Sequence, residues 1–199
     1  MLYVSYEILQ KQEFIFISRF IYGNSCWSDI LDILWGISSD LEFIHEGGLV
    51  HGNLHGGNVF IENEDCCITL DAKISDTGLH GPIDKSSPQQ IYGVIPFIAP
   101  EIFNGSVPTK ESDIYSLGII MWMLSTDLRP YHDRPHDSQL IREIISGSRP
   151  KPIYGTPSIF SKLMMKCLDA NPSNRPTAGQ LNECFGNWVT TICDDSEPS

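Results

Sequence analysis

Apolar residues recur at helical spacing between residues 29 and 46. The apolar positions are Ile30, Leu31, Ile33, Leu34, Ile37, Leu41 and Ile44. Gaps of one to four residues place them on one broad face of an α-helix. Gly47 and Gly48 follow, and glycine is typical of a helix C-terminus. The pattern therefore predicts a helix over 29–46 whose apolar face contributes to a packed core.

Shorter apolar runs predict a small amount of β-structure. Runs of apolar residues indicate strands at 14–17, 59–61 and 72–74. The stretch 78–91 is rich in Gly, Pro, Ser and Gln, which is typical of a long loop. The first half of the chain thus combines one long helix with a few short strands.

The second half of the chain is predicted to be helical. Helices are expected at 114–124, 138–145, 157–168 and 177–185. Ser112 and Asp113 are expected to cap the first of these helices, and Thr177 the last, because short polar side chains accept hydrogen bonds from the first free N–H groups. The fold class that follows is α+β and mostly α.

Composition narrows the possible functions. The 199 residues include 13 basic and 25 acidic residues, which give a net charge of −12. Such a charge argues against sequence-independent binding to nucleic acid or anionic membranes. No apolar run reaches the roughly 18 residues of a membrane span, and no secretory signal is visible. The six cysteines are expected to be free thiols, which fits a cytoplasmic location.

Three polar clusters carry the candidate chemistry. Residues 51–58 read H-G-N-L-H-G-G-N, residues 75–78 read S-D-T-G, and residues 98–101 read I-A-P-E. This series resembles the eukaryotic protein kinase family, in which H-R-D-L-x-x-x-N is followed by D-F-G and then A-P-E. Residues 93–101 are most similar to the tyrosine-kinase-like branch.

Further motifs extend the resemblance downstream. Residues 112–118 read S-D-I-Y-S-L-G, and residues 171–176 read N-P-S-N-R-P, both as in protein kinases. The resemblance covers residues 29–187 and implies a kinase-like C-lobe. Residues 1–28 are interpreted as an irregular N-terminal remnant, with the N-lobe largely missing, and residues 188–199 as an acidic flexible tail.

The resemblance implies a role for each matching residue. Asp76 and Asn58 match the family's metal ligands, so they are the expected sites for Mg²⁺ and ATP. Glu101 and Arg175 match an ion pair that ties the activation segment to the lobe. Asp113 matches a residue that braces the catalytic loop through backbone N–H groups.

The catalytic position departs from the family pattern. The family's catalytic Asp falls on Asn53, and an amide cannot take up the hydroxyl proton as a carboxylate does. The family's Arg falls on Gly52, which removes a cation that pairs with a phosphorylated activation loop. The Phe of D-F-G falls on Thr77. Upstream of His51 there is neither a G-x-G-x-x-G loop nor a strand lysine.

These features predict a pseudokinase that acts in signalling by binding a protein partner or another kinase. The alternative is an active ATP-dependent protein kinase. Gly52 and His55 match the loop of aminoglycoside and choline kinases, which reads H-G-D-x-H-x-x-N, better than they match the protein kinase loop. Those phosphotransferases lack the motifs found downstream in this chain, so that class is set aside. A zinc site at His51 and His55 is disfavoured, and His51 is interpreted as a packed structural histidine.

Overall fold

The computed structural model describes residues 26–62, 70–75 and 93–195. The strand predicted at 14–17 and the loop predicted at 78–91 lie outside these ranges. The regular elements within them are α1 (Trp27–Glu46), β1 (Val59–Glu62), β2 (Asp71–Ile74), α2 (Pro100–Phe103), α3 (Lys110–Thr126), α4 (Ser138–Ile145), α5 (Ser158–Cys167) and α6 (Ala178–Asp195). Short 3-10 turns occur at Gly56–Asn58, Ile95–Phe97 and Pro172–Asn174. The fold is α+β and mostly α, as predicted.

Helix α1 confirms the helix predicted over 29–46. Its apolar stripe is buried, and Leu34, Ile37 and Leu41 are wholly inaccessible to solvent. At the start of α1, the backbone N–H of Cys26 donates to the Asp29 carboxylate at 2.9 Å. The helix ends before Gly48, whose positive φ of 74° favours glycine. The buried stripe packs mainly against α6 and β2.

The two predicted strands pair as an antiparallel hairpin. Val59 of β1 lies opposite Ile74 of β2. The backbone N–H of Ile74 donates to the Asp40 carboxylate of α1 at 2.8 Å. A Cβ atom at Gly36 would lie 2.6 Å from the Ala72 carbonyl oxygen, so only glycine permits this approach of α1 to β2. Helix α1 therefore fixes the end of β2.

Helix α3 runs through the centre of the lobe, and every residue from 112 to 124 is buried. The predicted cap at Ser112 and Asp113 was wrong, because α3 begins earlier, with Thr109 as its N-cap. The Thr109 hydroxyl accepts from the Ser112 N–H at 3.3 Å, and the Ser112 hydroxyl accepts from the Thr109 N–H at 3.0 Å. This reciprocal capping box leaves the Asp113 carboxylate free for another role.

Helix α6 covers α1 at the end of the described chain. Its predicted cap is confirmed, since the Thr177 hydroxyl accepts from the Gln180 N–H at 3.2 Å. The helix continues past the predicted end at Phe185 to Asp195. Trp188 and Val189 extend the apolar face of Phe185 by three and four residues and pack partly against the core. This continuation of the stripe explains the greater length of α6.

Candidate functional site

The loop at residues 51–58 is held by one carboxylate from α3. The Asp113 carboxylate accepts hydrogen bonds from the backbone N–H groups of His51 and Gly52, both at 2.9 Å. The ring Nε2 of His45, in the last turn of α1, lies 2.9 Å from the same carboxylate. Asp113 is 1% exposed, so water does not compete for these bonds. The prediction that Asp113 braces the loop is confirmed.

His51 is a buried structural residue, as the sequence suggested. Its Nδ1 atom accepts from the backbone N–H of Asn53 at 3.2 Å, and its Nε2 atom lies 3.3 Å from the Ser75 carbonyl oxygen. This pattern fits the tautomer with the ring proton on Nε2. The ring thus connects the loop to the residue that follows β2.

Asn58 has the geometry of an oxygen ligand at the base of the loop. Its Nδ2 atom donates to the Asn53 carbonyl oxygen at 2.9 Å, which fixes the orientation of the amide and leaves Oδ1 as the acceptor. The Asn58 carbonyl oxygen accepts from the Ser75 N–H at 2.8 Å. Asn58 therefore fits one half of the predicted magnesium site, because Mg²⁺ prefers oxygen ligands.

The other predicted ligand, Asp76, lies outside the described residues, as does Thr77. Ser75, which precedes them, is held against Asn58 by the hydrogen bond above. Residues 26–62, 70–75 and 93–195 contain no group of three or more His, Cys, Asp or Glu side chains that could together hold a metal ion. A site built from Asn58 and Asp76 therefore stays a prediction.

Asn53 faces the segment that begins at Gly93. A Cβ atom at Gly93 would lie 3.3 Å from the Asn53 Oδ1 atom, and the φ of Gly93 is 123°. Glycine at this position leaves room for the amide and adopts a backbone conformation that other residues avoid. The Asn53 amide can donate and accept hydrogen bonds, but it does not take up a proton near neutral pH.

Two contacts anchor the segment that follows Gly93 to the helical core. The Ser116 hydroxyl of α3 donates to the Phe97 carbonyl oxygen at 2.7 Å. Farther along, Arg175 pairs with Glu101 through two parallel bonds, Nη1 to Oε1 at 2.6 Å and Nη2 to Oε2 at 2.8 Å. The predicted ion pair is confirmed. The same guanidinium donates to the carbonyl oxygens of Glu111 and Asp169, at 2.9 and 3.0 Å.

Sequence reasoning missed two residues of this site. His45 lies four residues after Leu41 and so continues the buried face of α1, which was the available signal. Gly93 opposite Asn53 gave no such signal, since the two residues meet only in the folded chain. Gly52 stands where the family has arginine. Its φ is 72°, a backbone conformation that favours glycine.

Comparison with known proteins agrees with this geometry. A family model for protein tyrosine and serine/threonine kinases matches residues 7–185. The chain belongs to the protein kinase family. Kinases of this family use ATP and Mg²⁺, and the described residues form the helical lobe of the kinase fold. No helix in the described part of the chain has both the length and the apolar character needed to span a bilayer.

Individual relatives point to the tyrosine-kinase-like branch. The chain is 31% identical to human mitogen-activated protein kinase kinase kinase 13 over 153 residues, which cover 76% of this chain and 15% of that protein. It is 29% identical to human receptor-interacting serine/threonine-protein kinase 1 over 187 residues, covering 84% and 26%. A probable serine/threonine-protein kinase of Dictyostelium discoideum is 31% identical over 159 residues, covering 74% and 8%. The matched region is thus a small part of each relative.

Proposed function

We propose that this kinase domain is a pseudokinase that acts in signalling by binding a protein partner or another kinase. The observation that carries the proposal is Asn53, which occupies the position of the family's catalytic Asp. Phosphoryl transfer to a hydroxyl group needs a carboxylate that accepts the hydroxyl proton. Removing a general base typically slows a reaction about 10²- to 10⁴-fold.

The scaffold around Asn53 supports this reading. The bonds from Asp113 to the loop and the Glu101–Arg175 pair hold a kinase-like backbone in place. The chain therefore combines an ordered catalytic loop with a side chain that does not act as a base. A fold that is maintained without its base can still present a surface to a partner.

Gly52 adds a second change in the same loop. The family has arginine here, and that guanidinium pairs with a phosphorylated activation loop. Without it, phosphorylation of Ser86, Ser87 or Tyr92 gains no counter-charge from the catalytic loop. We propose that partner binding, rather than activation-loop phosphorylation, sets the state of this domain.

Nucleotide binding is proposed to be weak. Asn58 and Asp76 would hold Mg²⁺ and, through it, the phosphates of ATP. The 199 residues include no G-x-G-x-x-G stretch to cover those phosphates, so weak binding is proposed for the 199-residue chain alone. For location and further partners we propose the cytoplasm, with no binding to nucleic acid or membranes, in keeping with the net charge of −12.

The second candidate function is an active protein kinase that transfers the γ-phosphate of ATP to serine, threonine or tyrosine. Asn58 favours it, since its amide is oriented as a metal ligand. Two of these relatives are serine/threonine-protein kinases by name, which favours it as well. The two functions make opposite predictions for a single assay.

That assay measures incorporation of radiolabelled phosphate from Mg-ATP into the chain itself and into generic protein substrates. The matched control is Asp76→Ala, which removes the charged metal ligand. We expect the chain and the control to give the same background signal. Incorporation by the chain that the control abolishes would reject the pseudokinase proposal and establish the active-kinase alternative.

A further inference from the structure

A groove of about 580 Å³ lies between α1 and the first turns of α6. Its walls include Trp35 and Glu42 of α1 and Gly179, Asn182 and Gly186 of α6. The two residues of α1 are separated by two helical turns, and so are the two glycines of α6, so each pair lies on one side of its helix. We call this space the α1–α6 groove.

Contacts with the two glycines place an indole and a carboxylate in this groove. A Cβ atom at Gly186 would lie 3.1 Å from the Trp35 Nε1 atom, so the indole rests against the backbone of α6. A Cβ atom at Gly179 would lie 2.5 Å from the Glu42 Oε1 atom, so a side chain there would displace the carboxylate. Trp35 and Glu42 are about 10 Å apart along α1, at 1.5 Å for each residue.

The groove combines negative charge with an acceptor that has no donor. Glu42 and Glu183 supply carboxylates, and no lysine, arginine or histidine lies among the described residues that line the groove. The Glu42 Oε2 atom accepts from the Asn182 Nδ2 atom at 2.6 Å, but Glu42 forms no ion pair with any residue that the structure describes. The Asn182 Oδ1 atom is buried and has no hydrogen-bond partner in the same part of the chain. An acceptor left in this way costs free energy, which a donor from a ligand would recover.

We infer that the α1–α6 groove binds an arginine side chain presented by a partner protein. The guanidinium would pair with the Glu42 carboxylate, and the apolar stem of the arginine would lie over the Trp35 indole. Arginine fits better than lysine, because its planar guanidinium carries five N–H donors and can serve both the carboxylate and the Asn182 amide oxygen. The net charge of −12 would also attract a basic segment to this chain.

The exposure of Trp35 supports an occupant that covers the indole. Trp35 is 45% exposed, whereas its neighbours Leu34 and Ile37 on α1 are wholly inaccessible to solvent. Tryptophan and arginine are among the residues that most often dominate the energy of an interface. The inference rests on the proposed function only in taking the ligand to be a partner protein, because the groove does not include Asn53.

An NMR titration of the full 199-residue chain with a short peptide tests the inference. The probe is the end-blocked peptide Gly-Ser-Arg-Ser-Gly. Two matched peptides carry lysine or citrulline in place of the arginine, and citrulline keeps the shape of the side chain without its charge. We expect the arginine peptide to shift the signals of the Trp35 indole N–H and the Gly179 and Gly186 backbone N–H groups. It should bind at least about tenfold more tightly than the other two peptides, and more weakly as salt rises.

Substitutions in the chain locate the bound peptide. Glu42→Gln removes the charge but keeps an acceptor for Asn182, and it should weaken binding at least about tenfold. Trp35→Leu should weaken binding as well, because the arginine then loses the aromatic surface. Glu46→Gln makes the same change at an exposed position of α1 outside the groove and is the matched control. Circular dichroism checks that each variant is folded.

Several results would overturn the inference. Absence of a saturable shift, or equal binding of the lysine or citrulline peptide, would show that the groove does not recognise a guanidinium. Equal affinities of Glu42→Gln and Glu46→Gln would place the arginine elsewhere on the chain. A dimer in light scattering that Glu42→Gln returned to the monomer would make a second copy of this chain the occupant. The phosphate-incorporation assay does not depend on the groove, so failure here leaves the pseudokinase proposal intact.

Discussion

Glu101 and Arg175 lie 74 residues apart and form a two-bond ion pair with an Nη1–Oε1 distance of 2.6 Å. The Arg175 side chain is wholly buried, and the Glu101 side chain is 15% exposed. Arg175 also donates to two backbone carbonyl oxygens, so a single guanidinium joins α2, the start of α3 and the turn before α6. This pair fixes the segment that follows Gly93 to the helical lobe.

Arg175→Ala should lower the free energy of unfolding by about 3–5 kcal/mol, because it leaves the Glu101 carboxylate without its buried partner. Urea melts followed by circular dichroism measure the change. The matched control is Arg134→Ala, which breaks the more exposed pair with Glu143 and should change stability much less. Equal effects of the two substitutions would contradict a structural role for the buried pair.

Asp113→Ala should release the loop at residues 51–58. The substitution leaves the N–H groups of His51 and Gly52 without an acceptor, at about 1–3 kcal/mol for each buried donor. Urea melts measure the loss of stability, and amide hydrogen exchange should become faster at these two positions. Asp133→Ala, at an exposed aspartate, is the control. Unchanged exchange at His51 and Gly52 in Asp113→Ala would show that another group holds the loop.

His136 should make the domain less stable in mild acid. Burial, assisted by the charges of Arg129 and Arg134, lowers the pKa of His136 below its ordinary value of 6.5, while its Nε2 lies 2.9 Å from the Pro130 carbonyl oxygen. The His136 imidazole therefore takes up a proton at a higher pH in the unfolded chain than in the folded chain. The contribution of neutral His136 to the free energy of unfolding should be fully present above pH 6.5. It should decrease as the pH falls from 6.5 toward the folded-state pKa.

Urea melts across this pH range measure the effect of His136. The free energy of unfolding of His136→Gln should decrease less with falling pH than that of the unmodified chain. His132→Gln removes an exposed histidine nearby and is the matched control. If the unmodified chain and His136→Gln show the same pH dependence, the half-buried His136 is not the source of that dependence.

In the 199-residue chain, millimolar Mg-ATP should raise the melting temperature little or not at all, because these residues include no G-x-G-x-x-G stretch to enclose the phosphates. A ligand at 100 times its Kd would stabilise the fold by about 2.7 kcal/mol, which thermal-shift measurement detects easily. Asp76→Ala again serves as the control. A large shift that disappears in this variant would show a formed nucleotide site.

Most of the local structure of the domain could be predicted from the amino-acid sequence. The apolar spacing from Ile30 to Ile44 predicted α1, and the short apolar runs predicted β1 and β2, because helical and strand periods are properties of neighbouring residues. The motif resemblance added Asp113 and the Glu101–Arg175 pair. Where local signals were misread, as at the N-cap Thr109 and in the continued stripe of α6 at Trp188, the error was confined to the end of a helix.

Which distant residues meet depends on the packing of the folded domain. His45 reaches Asp113 across 68 residues, and Gly93 lies opposite Asn53. The Arg149 guanidinium likewise joins the ends of α4 and α5 through the Ile144 and Leu168 carbonyl oxygens. Such contacts depend on how helices pack, and packing is set by the shapes of all the buried side chains together rather than by the period of any one segment.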